Sequence, residues 1–131
     1  MIRKILVMLL LVASACSTGE RGIVSMTEGN QFDPGTVTVR VGETLRFVND
    51  SSQAHTVTAY EESLPEGIDF FASGGFDDEE SARAGVAQGL IRPGEVYTIT
   101  FAAPGRLRYF CIPHEATGMI GTIVIEPANA D

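Results

Sequence analysis

The sequence has little positive charge and few of the residues from which multi-histidine or disulfide-rich sites are built. It contains 9 basic and 17 acidic residues, and Lys4 is its single lysine. Such a balance disfavours nucleic acid as a ligand and favours basic partners, although it also serves solubility or adaptation to salt. Only two histidines and two cysteines are present.

The sequence also lacks an apolar run long enough to anchor it permanently across a membrane. The apolar residues 5–12 form a short run that follows Arg3 and Lys4 and precedes the small residues Ala13-Ser14-Ala15. This pattern is typical of an export signal. We expect a signal peptide over residues 1–15, a tether over 16–22 and one folded domain over 23–127. Without the signal, 7 basic residues remain against 17 acidic ones, a net charge of −10.

Cys16 directly follows the signal, and Ala13-Ser14-Ala15-Cys16 resembles a bacterial lipobox. That resemblance implies that Cys16 is lipidated and begins the mature protein. The lipobox usually has Leu where this chain has Ala13, and Ala-x-Ala also suits ordinary cleavage, which would leave Cys16 unmodified. We expect an exported protein on the periplasmic or cell-surface face of a membrane, with the lipid as its one membrane contact. Cys111 would then have no disulfide partner, and a lone thiol in an oxidising compartment suggests a metal ligand.

From residue 23 onward, short segments of alternating apolar and polar residues predict β-strands. The clearest are residues 36–41, 44–49, 55–59, 96–101, 106–111 and 121–126. Turn-forming residues separate several of them: Asp33-Pro34-Gly35, Arg92-Pro93-Gly94 and Pro104-Gly105. Many short strands at this spacing predict an antiparallel sandwich or barrel.

Residues 61–90 interrupt this pattern because they are acidic and weakly periodic. Residues 77–84 are compatible with a short helix that has Asp77 or Asp78 as its N-cap and acidic residues in its first turn. A surface loop is the alternative.

A thiol, an imidazole and a thioether lie close together near the C-terminus, between two predicted strands. Cys111, His114 and Met119 have the spacing C-x2-H-x4-M, and His55 begins a strand far upstream. Two imidazoles, one thiolate and a weak axial thioether are the ligands of a mononuclear type 1 (blue) copper site. The alternatives are an apolar structural loop, with Cys and Met as core residues, or zinc, for which a thioether is a poor ligand.

These motifs resemble those of cupredoxins of the plastocyanin and halocyanin type. The resemblance covers nearly all of the domain, through residues 32–34, 41–49, 55–57, 93–95 and 111–119. It implies an all-β fold, a Greek-key β-sandwich of about eight strands. It also implies one type 1 copper ion held by His55, Cys111, His114 and Met119.

The resemblance further assigns roles to residues around the ligands. Thr56 would donate its backbone N–H to the Cys111 sulfur and link the two ligand loops, a position where the family often has Asn. Asn49 resembles the Asn that precedes the histidine loop, and Pro113 has no N–H to give the thiolate a second hydrogen bond. Electrons would pass through the His114 ring edge, with Pro113 and Ile120 as its apolar neighbours.

The function predicted from this resemblance is the transport of single electrons between redox partners outside the cytoplasm by Cu(I)/Cu(II) cycling. Partners would be a c-type cytochrome, a copper reductase or a respiratory or photosynthetic complex, with no nucleic acid and with the protein as a monomer. A dock for a basic partner is predicted from six acidic residues: Glu61, Glu62, Asp77, Asp78, Glu79 and Glu80.

An enzyme is not expected, because the blue site would use both histidines and leave none for a catalytic copper. A module for copper storage or delivery is the alternative function, although Met26 and Met119, the two methionines that follow the signal, are far apart in sequence.

Overall fold

The computed structural model describes residues 22–129, which form two β-sheets and one short α-helix. The predicted signal peptide and Cys16 lie outside the described residues, as does the predicted tether up to residue 21. Within residues 22–129, no helix has the length and apolar character needed to cross a membrane.

Eight strands make up the two sheets, four in each. The first sheet has the order β2-β1-β4-β6 and the second the order β3-β8-β7-β5. In chain order the strands are β1 (Ile23–Met26), β2 (Phe32–Asp33), β3 (Thr36–Arg40), β4 (Thr44–Asn49), β5 (Thr58–Ala59), β6 (Val96–Thr100), β7 (Gly105–Phe110) and β8 (Ile120–Glu126). The prediction of an all-β sandwich of about eight strands is confirmed.

The prediction of an antiparallel sandwich is wrong for two strand pairs. β1 pairs with β4 in parallel, and β3 pairs with β8 in parallel. Between β1 and β4 the chain visits the other sheet to form β3, so these two strands are joined by a crossover and not by a hairpin. The barrel alternative is also wrong, because the strands divide into two separate sheets.

The core lies between the sheets and follows the alternation of the strands. Val37 and Val39 of β3 are buried and alternate with the exposed Thr36 and Thr38, while Leu45 and Phe47 of β4 are fully buried. Phe47 packs edge-on against Tyr109 of the other sheet, with ring centroids 5.2 Å apart. Each such apolar side chain contributes roughly 1.5–3 kcal/mol through burial, so these alternating segments are held face to face.

The acidic segment 61–90 contains a short helix, so the prediction of a helix within residues 77–84 is confirmed and the surface-loop alternative is wrong. Helix α1 spans Glu79–Ala84, and the Asp78 carboxylate accepts a hydrogen bond from the Ser81 N–H. Glu79 and Glu80 lie in its first turn, where the helix dipole favours negative charge. Ala84 is the last helical residue, and Gly85 is the C-cap.

The strand predicted over residues 55–59 is shorter in the structure. His55 forms an isolated bridge with Ile91, and the regular strand is limited to Thr58–Ala59. The intervening amides bond to side chains instead of to a neighbouring strand: Thr56 donates to Cys111 Sγ and Val57 to Ser73 Oγ. A strand cannot continue where its backbone donors are used in this way.

Candidate metal centre

The register of β7 and β8 places Cys111 opposite Met119. Phe110 pairs with Ile120, and the Cys111 N–H donates to the Met119 carbonyl over 3.0 Å just beyond the paired strands. Between them, Ile112–Thr117 form a 3₁₀ turn. Pro113 lies near its start, and Gly118 is its C-cap. Gly118 has φ +88°, a left-handed conformation that glycine adopts without strain. The spacing C-x2-H-x4-M is thus one compact turn at the end of a hairpin.

His55 reaches the same point from the connection between β4 and β5. Its Nδ1 lies 3.2 Å from His114 Nδ1 and 3.8 Å from Cys111 Sγ, and His114 Nδ1 lies 3.4 Å from the same sulfur. A point equidistant from three atoms at these separations lies about 2 Å from each, which is the length of a metal–imidazole bond. The donor triangle therefore fits a single small metal ion.

The donor residues differ in exposure. His55, Cys111 and Met119 are fully buried, whereas His114 is half-buried. The Met119 N–H donates to the His114 carbonyl over 3.1 Å, which fixes the methionine beside the turn. The four side chains form an arrangement like that of a type 1 copper site.

Thr56 connects the two ligand segments through both its backbone and its side chain. Its N–H donates to Cys111 Sγ over 3.3 Å, and its hydroxyl accepts from the Ile112 N–H over 2.8 Å. Burial raises the pKa of the Cys111 thiol, and hydrogen bonds such as that from Thr56 oppose the shift. A bound cation would favour the thiolate further.

Asn49 organises the loop that carries His55. Its amide donates to the carbonyls of Gln53 and Ile91 over 2.7 and 2.9 Å, while its oxygen accepts from the Ser51 N–H and hydroxyl. Asn49 is buried at 1% exposure, and its bonds to Ile91 and Ser51 are buried, while the bond to Gln53 is partly buried. It thereby holds the loop in one conformation.

Ser51 contacts the ring of His55, and the motifs in the sequence do not predict this contact. Its hydroxyl lies 2.8 Å from His55 Nε2, the ring nitrogen that points away from the donor triangle. Burial, and after it the neighbouring His114, lowers the pKa of His55, which favours the neutral ring with a single proton. Ser51 lies in the polar run after β4, where Asn and Ser side chains often bond to a turning backbone. This position is the only indication in the sequence that its side chain helps to shape the loop.

The comparisons with known proteins agree with this geometry. The family model described as copper binding proteins of the plastocyanin/azurin family matches residues 21–126. The chain belongs to the plastocyanin/azurin family. Copper is accordingly the cofactor that this donor set fits, and electron transport is the activity that the family suggests.

Several curated plastocyanins are similar to this family member. The plastocyanin of Scenedesmus fuscus is 34% identical over 95 residues, which cover 72% of this chain and 86% of that protein. The chloroplastic plastocyanin of Chlamydomonas reinhardtii is 33% identical over 96 residues, 73% of this chain and 59% of that protein. The chain spans less than two thirds of the length of the chloroplastic plastocyanins that it resembles.

Solved structures share the fold. A mutant fern plastocyanin aligns with a TM-score of 0.57 at 20% identity, over 79% of this chain and 99% of that one. A copper-containing nitrite reductase from Thermus scotoductus aligns with a TM-score of 0.60 at 26% identity, over 82% of this chain but 22% of the reductase.

The predicted surface residues of this plastocyanin/azurin-family protein differ in their exposure and grouping. Pro113 is exposed, and Ile120 is half-buried like His114. Five of the six predicted acidic residues line one groove, which we call the acidic groove: Glu61, Glu62, Asp78, Glu79 and Glu80, together with Arg83. Asp77 is exposed but does not line it.

Proposed function

We propose that this protein is a single-electron carrier that holds one copper ion with His55, Cys111, His114 and Met119. The observation that carries the proposal is the donor triangle, in which atoms from two distant segments already lie 3.2–3.8 Å apart. Copper bound there would supply a one-electron couple, since soft sulfur favours Cu(I) and imidazole suits Cu(II).

The residues of this chain limit how much the site changes during electron transfer. Asn49 and Thr56 fix the two ligand segments through buried hydrogen bonds, and three of the four donor side chains are fully buried. A site held in this way excludes water and keeps its geometry when the charge changes, which is the requirement for fast outer-sphere transfer.

We propose that electrons enter and leave at the half-buried edge of His114, flanked by Pro113 and Ile120. The acidic groove would attract a basic redox partner, such as a c-type cytochrome, and bring it to this side of the molecule. A copper reductase or a respiratory or photosynthetic complex would use the same surface. The protein would work as a monomer.

The similarity to part of a nitrite reductase raises the alternative of an enzyme domain. A second, catalytic copper would require further histidines, and the sequence contains only His55 and His114, which the proposed site uses. We therefore propose that this chain itself is a carrier and not a catalyst.

The copper site is tested by adding Cu(II) to the purified protein and recording visible and electron paramagnetic resonance spectra. We expect an intense thiolate-to-copper band that is lost in Cys111→Ser. A colourless protein that nevertheless binds the metal would reject the proposal.

Redox cycling separates a carrier from a storage or delivery module. A carrier should pass through repeated reduction and reoxidation with its copper retained in the presence of a competing acceptor. Transfer of the copper to that acceptor during one cycle would favour delivery instead.

The proposed location follows from the sequence. We propose export by residues 1–15, lipidation of Cys16, a tether over 16–22 and a copper domain over 23–127, on the periplasmic or cell-surface side of a membrane. Membrane fractionation of the wild type and of Cys16→Ser tests the anchor. If Cys16 is lipidated, the variant should be absent from the membrane fraction. Equal membrane association of both proteins would contradict it.

A further inference from the structure

Phe110 is fully buried although it points to the outer face of β7. Leu107 and Tyr109 point into the core, and Cys111 joins the same core cluster. The Tyr60 ring stacks on Phe110 with centroids 4.2 Å apart and planes 24° apart, and the Arg83 guanidinium lies 4.4 Å from the Phe110 centroid. Two planar groups so close to one ring cannot share a face, so Tyr60 and Arg83 cover opposite faces of the residue that precedes Cys111.

Arg83 extends from helix α1 to the ligand turn. Its two terminal nitrogens donate to both carboxylate oxygens of Glu115 over 2.6 and 3.1 Å, and its Nε donates to Glu79 over 3.0 Å. Glu115 is the neighbour of His114 within the turn. The helix of the acidic groove is therefore connected directly to the turn that presents the exposed donor.

Tyr60 completes the contact from a second segment. Its hydroxyl donates to Glu115 Oε1 over 2.9 Å. The Glu115 carboxylate thus receives donors from Arg83 and from Tyr60, the two side chains that enclose Phe110. Bidentate charge-assisted bonds and cation–π contacts are stronger than ordinary surface ion pairs.

The ligand turn has its own internal bonds, from the Gly118 N–H to the Glu115 carbonyl and from the Met119 N–H to the His114 carbonyl. These bonds shape the turn, but they do not attach it to the rest of the surface. The contacts of Glu115 do so, from outside the hairpin.

We propose that Arg83, Tyr60 and Glu115 form a latch that positions the His114 turn, with helix α1 as its support. The three are positioning residues, because they touch the turn and not the metal donors. Its effect on copper rests on the proposed function. A partner that binds at His114 would contact this turn, and the latch would preserve the geometry of the donor triangle. The latch itself does not depend on a metal and can be tested without one.

The test is amide hydrogen exchange in the full-length protein, both metal-free and loaded with Cu(I). We expect Arg83→Ala to speed exchange of the Gly118 and Met119 amides about five- to tenfold, as the loss of a bidentate, ring-stacked pair implies. Arg106→Ala is the charge-matched control, because Arg106 is exposed and has no ion-pair partner among residues 22–129. Glu115→Gln, which cannot form the charged pair, should reproduce the effect.

A second control separates the latch from a general loss of stability. Ile123→Val removes one methyl group from the buried core and lowers global stability without touching the latch. The latch predicts unchanged exchange at Gly118 and Met119 in this variant. The proposal is overturned if Arg83→Ala leaves these two amides unchanged, or if Ile123→Val accelerates them equally.

The same variants loaded with Cu(II), which is paramagnetic, add a spectroscopic readout. We expect Arg83→Ala to change the copper hyperfine splitting in the paramagnetic resonance spectrum, while Arg106→Ala and Ile123→Val retain the wild-type spectrum. An unchanged spectrum in Arg83→Ala would refute positioning of the donors. A wild type with no blue site at all would instead refute the proposed function, and the metal-free exchange rates would still decide whether the latch exists.

Discussion

At the scale of single residues, the direction of the His55 ring depends on Ser51. The Ser51 hydroxyl accepts from the Gln53 N–H over 3.2 Å and lies within donating distance of the Asn49 oxygen, at 2.7 Å. With its proton directed to Asn49, the hydroxyl can accept the Nε2 proton of His55. The imidazole then leaves Nδ1 free for the metal, which is how a ligand histidine is commonly oriented.

Replacing Ser51 with Ala should weaken copper binding about 10- to 100-fold, as other losses of a histidine's outer hydrogen bond do. The reason is that the ring loses both its orientation and its fixed tautomer. Competition with a copper chelator of known affinity measures the effect. Ser52→Ala is the control, because the exposed Ser52 hydroxyl bonds to Glu28 instead. Equal affinities of the two variants would show that Ser51 does not orient the ligand.

At the scale of secondary-structure elements, helix α1 depends on its N-cap. The Asp78 carboxylate accepts the Ser81 N–H over 2.6 Å, and this hydrogen bond lowers the pKa of Asp78 below its ordinary value of 3.8. A carboxylate with a lowered pKa stabilises the folded state above its unfolded pKa. That contribution is lost as the pH falls through the lowered folded value.

Asp78→Asn should retain the cap but remove this pH dependence, since the Asn oxygen accepts the same bond without titrating. We expect the stability advantage of the wild type over the variant to shrink as the pH falls below about 4. Thermal unfolding across that range measures it, with Asp77→Asn as the neighbouring control. A difference between wild type and Asp78→Asn that stays constant at every pH would contradict the prediction.

Strand β7 shows what an element can and cannot reveal in its sequence. Its alternation predicts that Leu107, Tyr109 and Cys111 share one face, and all three belong to the core cluster. The same alternation gave no reason for Phe110 to be buried, because period-two patterns describe one sheet and its own core. Phe110 is covered by Tyr60 and Arg83, which come from a segment 27–50 residues away.

At the scale of the whole molecule, the ends of the sandwich carry different chemistry. The donor triangle lies at the end where β4 finishes and β8 begins, close to the acidic groove through Arg83 and Glu115. Glu43 and Glu126 lie together at the opposite end of these strands, about 20 Å away for a six-residue strand. The same negative charge can therefore be removed either near the donor triangle or at the far end of the molecule.

The rate of electron transfer to a basic c-type cytochrome should fall about tenfold or more as ionic strength rises from roughly 10 to 200 mM. Glu62→Gln/Glu80→Gln should weaken this salt dependence, because both side chains line the acidic groove without taking part in the latch. Stopped-flow kinetics over a salt series measures it. Glu43→Gln/Glu126→Gln removes the same charge at the far end, and an equal effect there would exclude local docking.

Much of the fold and three of the four donors could be predicted because they depend on residues that are close in sequence, whereas the distant His55 was assigned through the family resemblance. The alternation of Val37 and Val39, or of Leu45 and Phe47, fixes which face of a strand is buried. The spacing from Cys111 to Met119 fits one turn between paired strands. The helix at 79–84 was recognisable from its cap and its acidic first turn.

Local sequence is sufficient for the alternation of the strands, the cap of α1 and the three donors of one turn. Three features depend on long-range packing instead: the parallel pairing of β1 with β4 and of β3 with β8, the contact of Ser51 with His55 Nε2, and the ion pair of Arg83 with Glu115. The physical reason is range. Backbone geometry fixes contacts over a few residues, whereas the partners joined across 32 residues, from Arg83 to Glu115, are set by how the sheets and the helix pack.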